Sequence, residues 1–178
     1  MRTPSLLPLP ALVLLLLGPL AAWRPAPARL QVGGTFAMTY SQMNPVPTDD
    51  AAGHVLLSDR ATGTNRSLGR DPYMDGAQVV NTEIADLVQG RGSHQGYTIF
   101  SSGADSTVNK WSGNLTTALG ADKQPVTSFA GSWQKVRGTG RYAGVSGHGT
   151  YRGRMTGSNT YEVTWKGEIE VDRQSAAR

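Results

Sequence analysis

Apolar and polar residues alternate along most of the chain, and no apolar pattern at helical spacing continues for more than two turns. The clearest alternation runs from Tyr161 to Val171, where apolar side chains are separated by charged or hydroxyl side chains. Successive side chains of a strand point to opposite faces, so this segment has one buried face and one exposed face. The pattern predicts an all-β protein.

Eight such segments occur, each bounded by Gly, Pro, Asn or Asp. The links between most of them are short and rich in turn residues, which is typical of hairpins joining antiparallel neighbours. Two connections, 44–50 and 60–76, are longer and are predicted to be loops over a barrel mouth or an open end. The predicted strands are 34–41, 53–59, 78–88, 95–102, 107–118, 125–136, 142–155 and 160–171.

The first 28 residues have the features of a secretory signal peptide. Arg2 supplies the positive start, residues 6–20 are almost wholly apolar, and Ala26-Pro27-Ala28 fits a cleavage site. An uncleaved membrane anchor is the alternative, but the apolar run is shorter than the roughly 20 residues required and contains prolines. We therefore expect a single domain at 29–178, with its core at about 33–172. The predicted location is secreted or periplasmic, with no stable membrane insertion after cleavage.

Charge and composition exclude several classes of function. Loss of Arg2 and Arg24 with the leader leaves 15 basic and 13 acidic residues, a net charge of +2. This balance argues against a nucleic-acid partner. Cysteine is absent, which excludes disulfides, a thiol nucleophile and a cysteine-type zinc site. Two sequons, at Asn65 and Asn114, matter only if the source adds N-glycans.

The glycine-rich segment Arg137 to Arg154 reads RGTGRYAGVSGHGTYRGR. A phosphate-binding loop requires a helix after it, whereas here another strand follows, and the glycine spacing also fails. We interpret it as a turn followed by a strand whose Gly147, Gly149 and Gly153 share the inward face. Glycines there permit sharp coiling, or leave room for large neighbours or for a ligand.

The chain contains no complete form of a familiar catalytic motif. Ser146, in GVSGH, lacks the final glycine and the helix of a nucleophile elbow. Ser132 and Lys135 fit S-x-x-K, but on a strand they point to opposite faces. The three histidines have no metal-ligand spacing. We therefore expect no metal and no cofactor.

Two acids interrupt the apolar segment VVNTEIADLV. Glu83 and Asp86 have opposite parity, so one of them is expected to face inward. A carboxyl group in an apolar barrel has a raised pKa and acts as a general acid or orients a ligand. These two are the candidate catalytic residues. The competing interpretation is a bulge that turns both outward, or an acid paired with a nearby arginine.

Two segments carry a family resemblance. WQKVRGTGRYAGVSGHG, from Trp133 to Gly149, resembles the signature of allene oxide cyclase and dirigent barrels, in which a G-G-T-G or G-G-S-G turn precedes an aromatic residue and a glycine-rich strand. QGRGSHQGY, from Gln89 to Tyr97, resembles the entry of an earlier dirigent strand. Arg137 replaces the first glycine of the turn, and the families' catalytic carboxylates have no counterpart that aligns. The likeness covers roughly 79–171.

The resemblance implies an eight-stranded antiparallel up-and-down β-barrel of the calycin-like type, assembled as a homotrimer or homodimer, with a cavity for an apolar small molecule. An interior of this size is filled by side chains or holds one small ligand. Plain core packing is the competing role for each large inward candidate. Those candidates are Phe36, Met38, Tyr40, Tyr97, Ile99, Trp111, Phe129, Trp133, Tyr151, Tyr161 and Trp165.

Two functions remain open at this point. The first is an exported cyclase or isomerase that holds a reactive apolar chain in a near-attack geometry and excludes water. The second is a non-catalytic carrier of an apolar ligand, or a stable secreted barrel. A carboxyl group or tyrosine that points into a roomy cavity favours the first, whereas a filled interior favours the second.

Overall fold

The computed structural model describes residues 26–172, and the predicted leader therefore lies almost entirely outside the described residues. Eight strands, each antiparallel to the next, form a closed barrel in which β8 pairs with β1. This confirms the predicted all-β, eight-stranded up-and-down architecture. The strands are β1 (Ala28–Pro47), β2 (His54–Ser67), β3 (Gln78–Val88), β4 (Arg91–Ser102), β5 (Asp105–Leu119), β6 (Pro125–Thr139), β7 (Ser146–Met155) and β8 (Thr160–Val171).

The first two strands are much longer than predicted. β1 continues to Pro47 and β2 continues to Ser67, so most of the first predicted loop and half of the second belong to the sheet. Ala61 and Asn65 of β2 face inward and are buried, between outward polar residues. Because the inward side chains here are small or polar, this part of the strand has no apolar alternation to reveal it.

The start of β7 was predicted too early. Gly140–Tyr142 form a turn of 3-10 helix between β6 and β7, and β7 itself begins at Ser146. Gly140 and Gly144 have φ values of 59° and 75°, a region that side chains rarely adopt. The glycine-rich segment is therefore a turn followed by a strand, as predicted.

The connection 68–77 closes one end of the barrel, which we call the capped end. Tyr73 in this connection is 1% exposed, and its ring packs edge-on against Phe100, Tyr142 and Trp165. Asn65 fixes the connection, because its amide nitrogen donates to the carbonyls of Tyr73 and Met74 at 3.0 and 2.9 Å. The Asn65 sequon is consequently inaccessible to a glycosyltransferase in the folded protein, whereas Asn114 is exposed.

Two bulges set which residues face inward. Ser41 in β1 and Val136 in β6 are extra residues without a directly paired partner across the ladder. The bulge at Val136 follows Lys135, which keeps the same inward parity as Trp133 and Phe129. No helix among residues 26–172 is long and apolar enough to cross a membrane.

Candidate functional site

The interior of the barrel contains a central cavity of about 50 Å³. Its wall combines aromatic rings with a small number of polar side chains. A volume of this size holds a few water molecules and lies well below the roughly 300 Å³ of small ligand pockets. The lining residues are Phe36, Tyr73, Asn81, Glu83, His94, Thr98, Phe100, Asn109, Trp111, Phe129, Trp133, Lys135, Tyr151, Tyr161, Val163 and Trp165.

The cavity is small because large rings lie against inward glycines. Trp133 rests on Gly149 and Gly167, where an added Cβ at either glycine would lie 2.5 Å from the indole Cζ2 atom. The Tyr151 hydroxyl occupies the equivalent position over Gly113 and Gly131, at 2.6 Å from each built Cβ. Of the three roles considered for inward glycines, room for large neighbours is the one observed. The other such contacts are Trp111 on Gly96, Trp165 on Gly34, Phe129 on Gly153 and Met38 on Gly63.

A hydrogen-bonded chain of three side chains crosses the cavity wall. Glu83 from β3 accepts from His94 Nδ1 of β4 at 2.8 Å, and His94 Nε2 lies 3.0 Å from the Tyr151 hydroxyl of β7. Glu83 and His94 are 8% and 3% exposed. A carboxylate accepting at Nδ1 places the imidazole proton on that nitrogen, so that Nε2 accepts from Tyr151. Along this chain of hydrogen bonds, the Tyr151 hydroxyl donates to the His94 imidazole, which donates to the Glu83 carboxylate.

This chain, which we call the Glu83–His94–Tyr151 relay, is suited to moving a proton. Burial, and then the charge of Glu83, raise the pKa of Tyr151 above its ordinary value. A phenolate is therefore disfavoured at this position, and Tyr151 stays protonated at neutral pH. If Tyr151 accepts a proton from a ligand, its own proton passes to His94, and Glu83 stabilises the resulting imidazolium.

Asp59 adds a second buried carboxyl group beside the relay. It is the direct cross-strand partner of Glu83 and is 5% exposed. Burial, followed by the charge of Glu83, raises the pKa of Asp59 from 3.8 to about 8. Both of its carboxyl oxygens lack a hydrogen-bond partner within the described part of the chain. The neutral acid is therefore the favoured form of Asp59 at pH 7, and Asp59 is not one of the residues that line the cavity.

The two predicted catalytic acids separate, as their parity indicated. Glu83 faces the cavity, whereas Asp86 lies on the outer wall, where its carboxylate is 2.8 Å from His54 Nε2 and its side chain is 60% exposed. Hydrogen bonds that His54 donates to the carboxylates of Asp86 and Asp50 raise the pKa of His54. Neither the predicted bulge nor a pairing with arginine occurs at these acids, and only Glu83 belongs to the interior site.

Most of the predicted inward aromatic residues do face the interior, and seven of them line the cavity: Phe36, Trp111, Phe129, Trp133, Tyr151, Tyr161 and Trp165. Met38 is buried, and Tyr40 packs against Tyr161 with ring centroids 5.0 Å apart. The inward assignment of Tyr97 and Ile99 is wrong, since they are 46% and 38% exposed on the outer wall. The inward face of β4 instead carries His94, Thr98 and Phe100, so polar and apolar side chains are mixed on that face.

Several interior polar residues are not among the predicted site residues, and they include Asp59, Tyr73, His94 and Lys135. For Lys135, parity with Trp133 was available as a signal. For Asp59, at the end of the predicted strand 53–59, parity with Val55 and Leu57 was such a signal, whereas Tyr73 lies in the predicted loop 60–76, where no strand parity applies. Within residues 26–172, no group of three or more His, Asp or Glu side chains is arranged to hold a metal ion.

The sequence matches no family model and no curated protein. Among solved structures, a pterocarpan synthase dirigent protein is similar, with 11% sequence identity and a TM-score of 0.47. The alignment covers 92% of this chain and 100% of the dirigent protein. A similarity of this degree concerns the barrel architecture at most, and no activity follows from it.

Proposed function

We propose that the protein is a cofactor-independent isomerase or cyclase that moves a proton on a small, largely apolar molecule inside the barrel. The observation that carries this proposal is the Glu83–His94–Tyr151 relay at the cavity wall. Buried polar groups are costly, and a three-membered buried chain ending at a cavity is the arrangement expected of a proton-transfer site.

In the proposed reaction, the Tyr151 oxygen takes a proton from the substrate while the Tyr151 proton moves to His94 Nε2. The imidazolium that forms is held against the Glu83 carboxylate at 2.8 Å. The reverse movement returns the proton to another atom of the substrate, which completes an isomerisation or ring closure. Because no phenolate forms, the raised pKa of Tyr151 does not oppose this path.

The remaining walls supply shape and exclude water. Aromatic rings cover the apolar part of a bound molecule and keep water away from the relay. Since the cavity is about 50 Å³, the proposal requires interior side chains to move apart when a substrate enters. We also propose that the protein is secreted. The resemblance to allene oxide cyclase and dirigent barrels leads us to expect a closed barrel that holds a reactive substrate chain in a folded conformation.

A second candidate function is favoured by the packing itself. The aromatic rings seated on glycines fill the interior almost completely, which fits a non-catalytic carrier or a stable secreted barrel. The buried relay favours the catalytic candidate, since it places a hydroxyl, an imidazole and a carboxylate in hydrogen-bonded order at the cavity wall.

The test follows proton transfer on a simple probe. 3-Cyclohexen-1-one converts to its conjugated isomer by loss and return of one proton, and the product is measured by ultraviolet absorbance. Wild type is expected to accelerate the conversion, and Tyr151→Phe to reduce the rate about 10²- to 10⁴-fold. His94→Gln should do the same, whereas Thr150→Val, on the outer face of the same strand, should match wild type.

The outcomes separate the candidates. Wild type that binds the ketone, seen as a change in the fluorescence of Trp111, Trp133 or Trp165, without accelerating its conversion, supports the carrier. Equal rates for wild type and Tyr151→Phe reject the relay as the catalytic device. If wild type neither binds nor converts any of a series of enolisable ketones, the result supports a structural barrel.

A further inference from the structure

Lys135 is an interior lysine that the proposed reaction does not use. Its side chain lines the cavity near the capped end, four residues along β6 from Gly131, which pairs with Tyr151. Four residues of a strand span roughly 13 Å. Lys135 and the relay therefore occupy different levels of the barrel.

The hydrogen bonds of Lys135 account for both hydrogens of a neutral amine. Lys135 Nζ donates to the Tyr73 hydroxyl, and to Thr107 Oγ1 at 3.2 Å. The Tyr73 hydroxyl lies 2.5 Å from Thr107 Oγ1, and Thr107 in turn donates to the sulfur of Met74 at 3.6 Å. Every donor in this cluster has an acceptor when the amine is neutral. The nitrogen lone pair is then unused, whereas an ammonium would bring a third hydrogen.

The surroundings favour the neutral amine. No salt bridge among the described residues includes Lys135. Nζ lies 4.4 Å from the ring centroid of Tyr73, 5.4 Å from that of Phe100 and 5.5 Å from that of Trp133. These ring faces favour a cation, but burial has the larger effect and lowers the pKa of Lys135 from 10.5 to about 7.

Two polar atoms of the same cavity lack hydrogen-bond partners. Asn109 is the cross-strand neighbour of Lys135, and its Oδ1 is buried without a donor from any described residue. Trp133, two positions before Lys135 on the same face, has a buried Nε1 without an acceptor. A buried unpaired donor and acceptor beside an amine are positions that water, or a polar group of a ligand, can occupy.

We propose that Lys135 is a nucleophile that forms a Schiff base with a small apolar aldehyde or ketone. The nitrogen lone pair attacks the carbonyl carbon, the C=O electron pair moves to oxygen, and one nitrogen proton passes to that oxygen to give a carbinolamine. The hydroxyl group then leaves with the second nitrogen proton as water, and a C=N bond remains. Trp133 Nε1 is the available donor for the oxygen during attack, and the Tyr73 and Thr107 hydroxyls relay the protons.

This proposal does not rest on the proton-transfer function, because Lys135 reacts whether or not Tyr151 does. The probe is butanal, with sodium cyanoborohydride present to reduce the imine to a stable butyl amine. After digestion, mass spectrometry measures the rate of labelling at each lysine. Lys110, Lys123 and Lys166 are exposed and serve as internal references.

At pH 7.5 we expect Lys135 to be labelled at least tenfold faster than the reference lysines. An ordinary lysine with a pKa near 10.4 is only about 0.1% neutral at this pH. The rate at Lys135 should approach its plateau near pH 8. In urea, where the cavity is lost, the preference for Lys135 should disappear.

Labelling of Lys135 at or below the rate of the reference lysines in folded protein overturns the proposal. Persistence of its preference in urea does so as well, because the cavity would then play no part. Lys135→Met should remove the fast-labelled site while leaving the rates at the other three lysines unchanged. If this variant does not fold, the folded and urea measurements on wild type decide the matter without it.

Discussion

Replacing Gly149 with valine tests whether the barrel interior is packed or open. Gly149 lies on the inward face of β7, and a Cβ added there would come within 2.1 Å of the Lys166 carbonyl oxygen and 2.5 Å of the Trp133 ring. Neither neighbour is the free end of a flexible side chain. The substitution must therefore displace the backbone of β8, the indole ring, or both.

The expected cost follows from this crowding. Overpacking of a well-packed core typically destabilises a protein by 1–3 kcal/mol, and a clash with both backbone and ring belongs near the upper end, at about 3 kcal/mol. With a urea dependence of about 2 kcal/mol per molar for a domain of this size, the midpoint of unfolding should fall by about 1.5 M.

The assay is equilibrium urea unfolding followed by tryptophan fluorescence. Thr150→Val, one residue away and on the outer face, is the matched control and should change stability by less than about 0.5 kcal/mol. Adding Trp133→Phe to Gly149→Val should recover part of the loss, because the smaller ring leaves the space that the valine needs. An unchanged midpoint for Gly149→Val, together with loss of binding of an apolar fluorescent probe, would refute the packed interior and show open space at Gly149.

Three further predictions concern pH, processing and assembly. Burial raises the pKa of Asp59 from 3.8 to about 8, so the unfolded chain loses this proton first, and stability should fall by about 1.4 kcal/mol per pH unit as pH rises from about 4 to 7, below the range in which Lys135 acts in the opposite direction. Asp59→Asn should abolish this fall in urea midpoints, and an unchanged slope would contradict the raised pKa of Asp59. N-terminal sequencing of the secreted protein should begin at Arg29, and a start at Met1 would disprove cleavage. Sedimentation at micromolar concentration should show a trimer or dimer, with exposed Tyr97 and Ile99 as candidate contacts; a monomer alone would remove this idea.

Residues of the candidate site could be predicted only in strands whose regular apolar and polar alternation shows which side chains share a face. Glu83 and Asp86 differ by an odd number of positions, so the sequence already required them to face opposite sides, although it did not decide which faced inward. His94 was not recognised, because Tyr97 and Ile99 make the outer face of β4 look like its buried face. Its pairing with Glu83 depends on the register between β3 and β4, and no local pattern encodes that register.

The sequence by itself determined the class of the fold. Eight alternating segments, short turn-rich links and inward glycines predict an antiparallel barrel. These signals can be recognised without the structure because period-two alternation is a local property of the chain. Only the tertiary structure decided how the interior is filled. Rings reach glycines on neighbouring or facing strands, as Trp133 does on Gly149 and Gly167, and these contacts join residues far apart in the chain. The relay and the amine of Lys135 arise in the same way. Barrel closure takes polar side chains out of water, and their partners and pKa values follow from that burial.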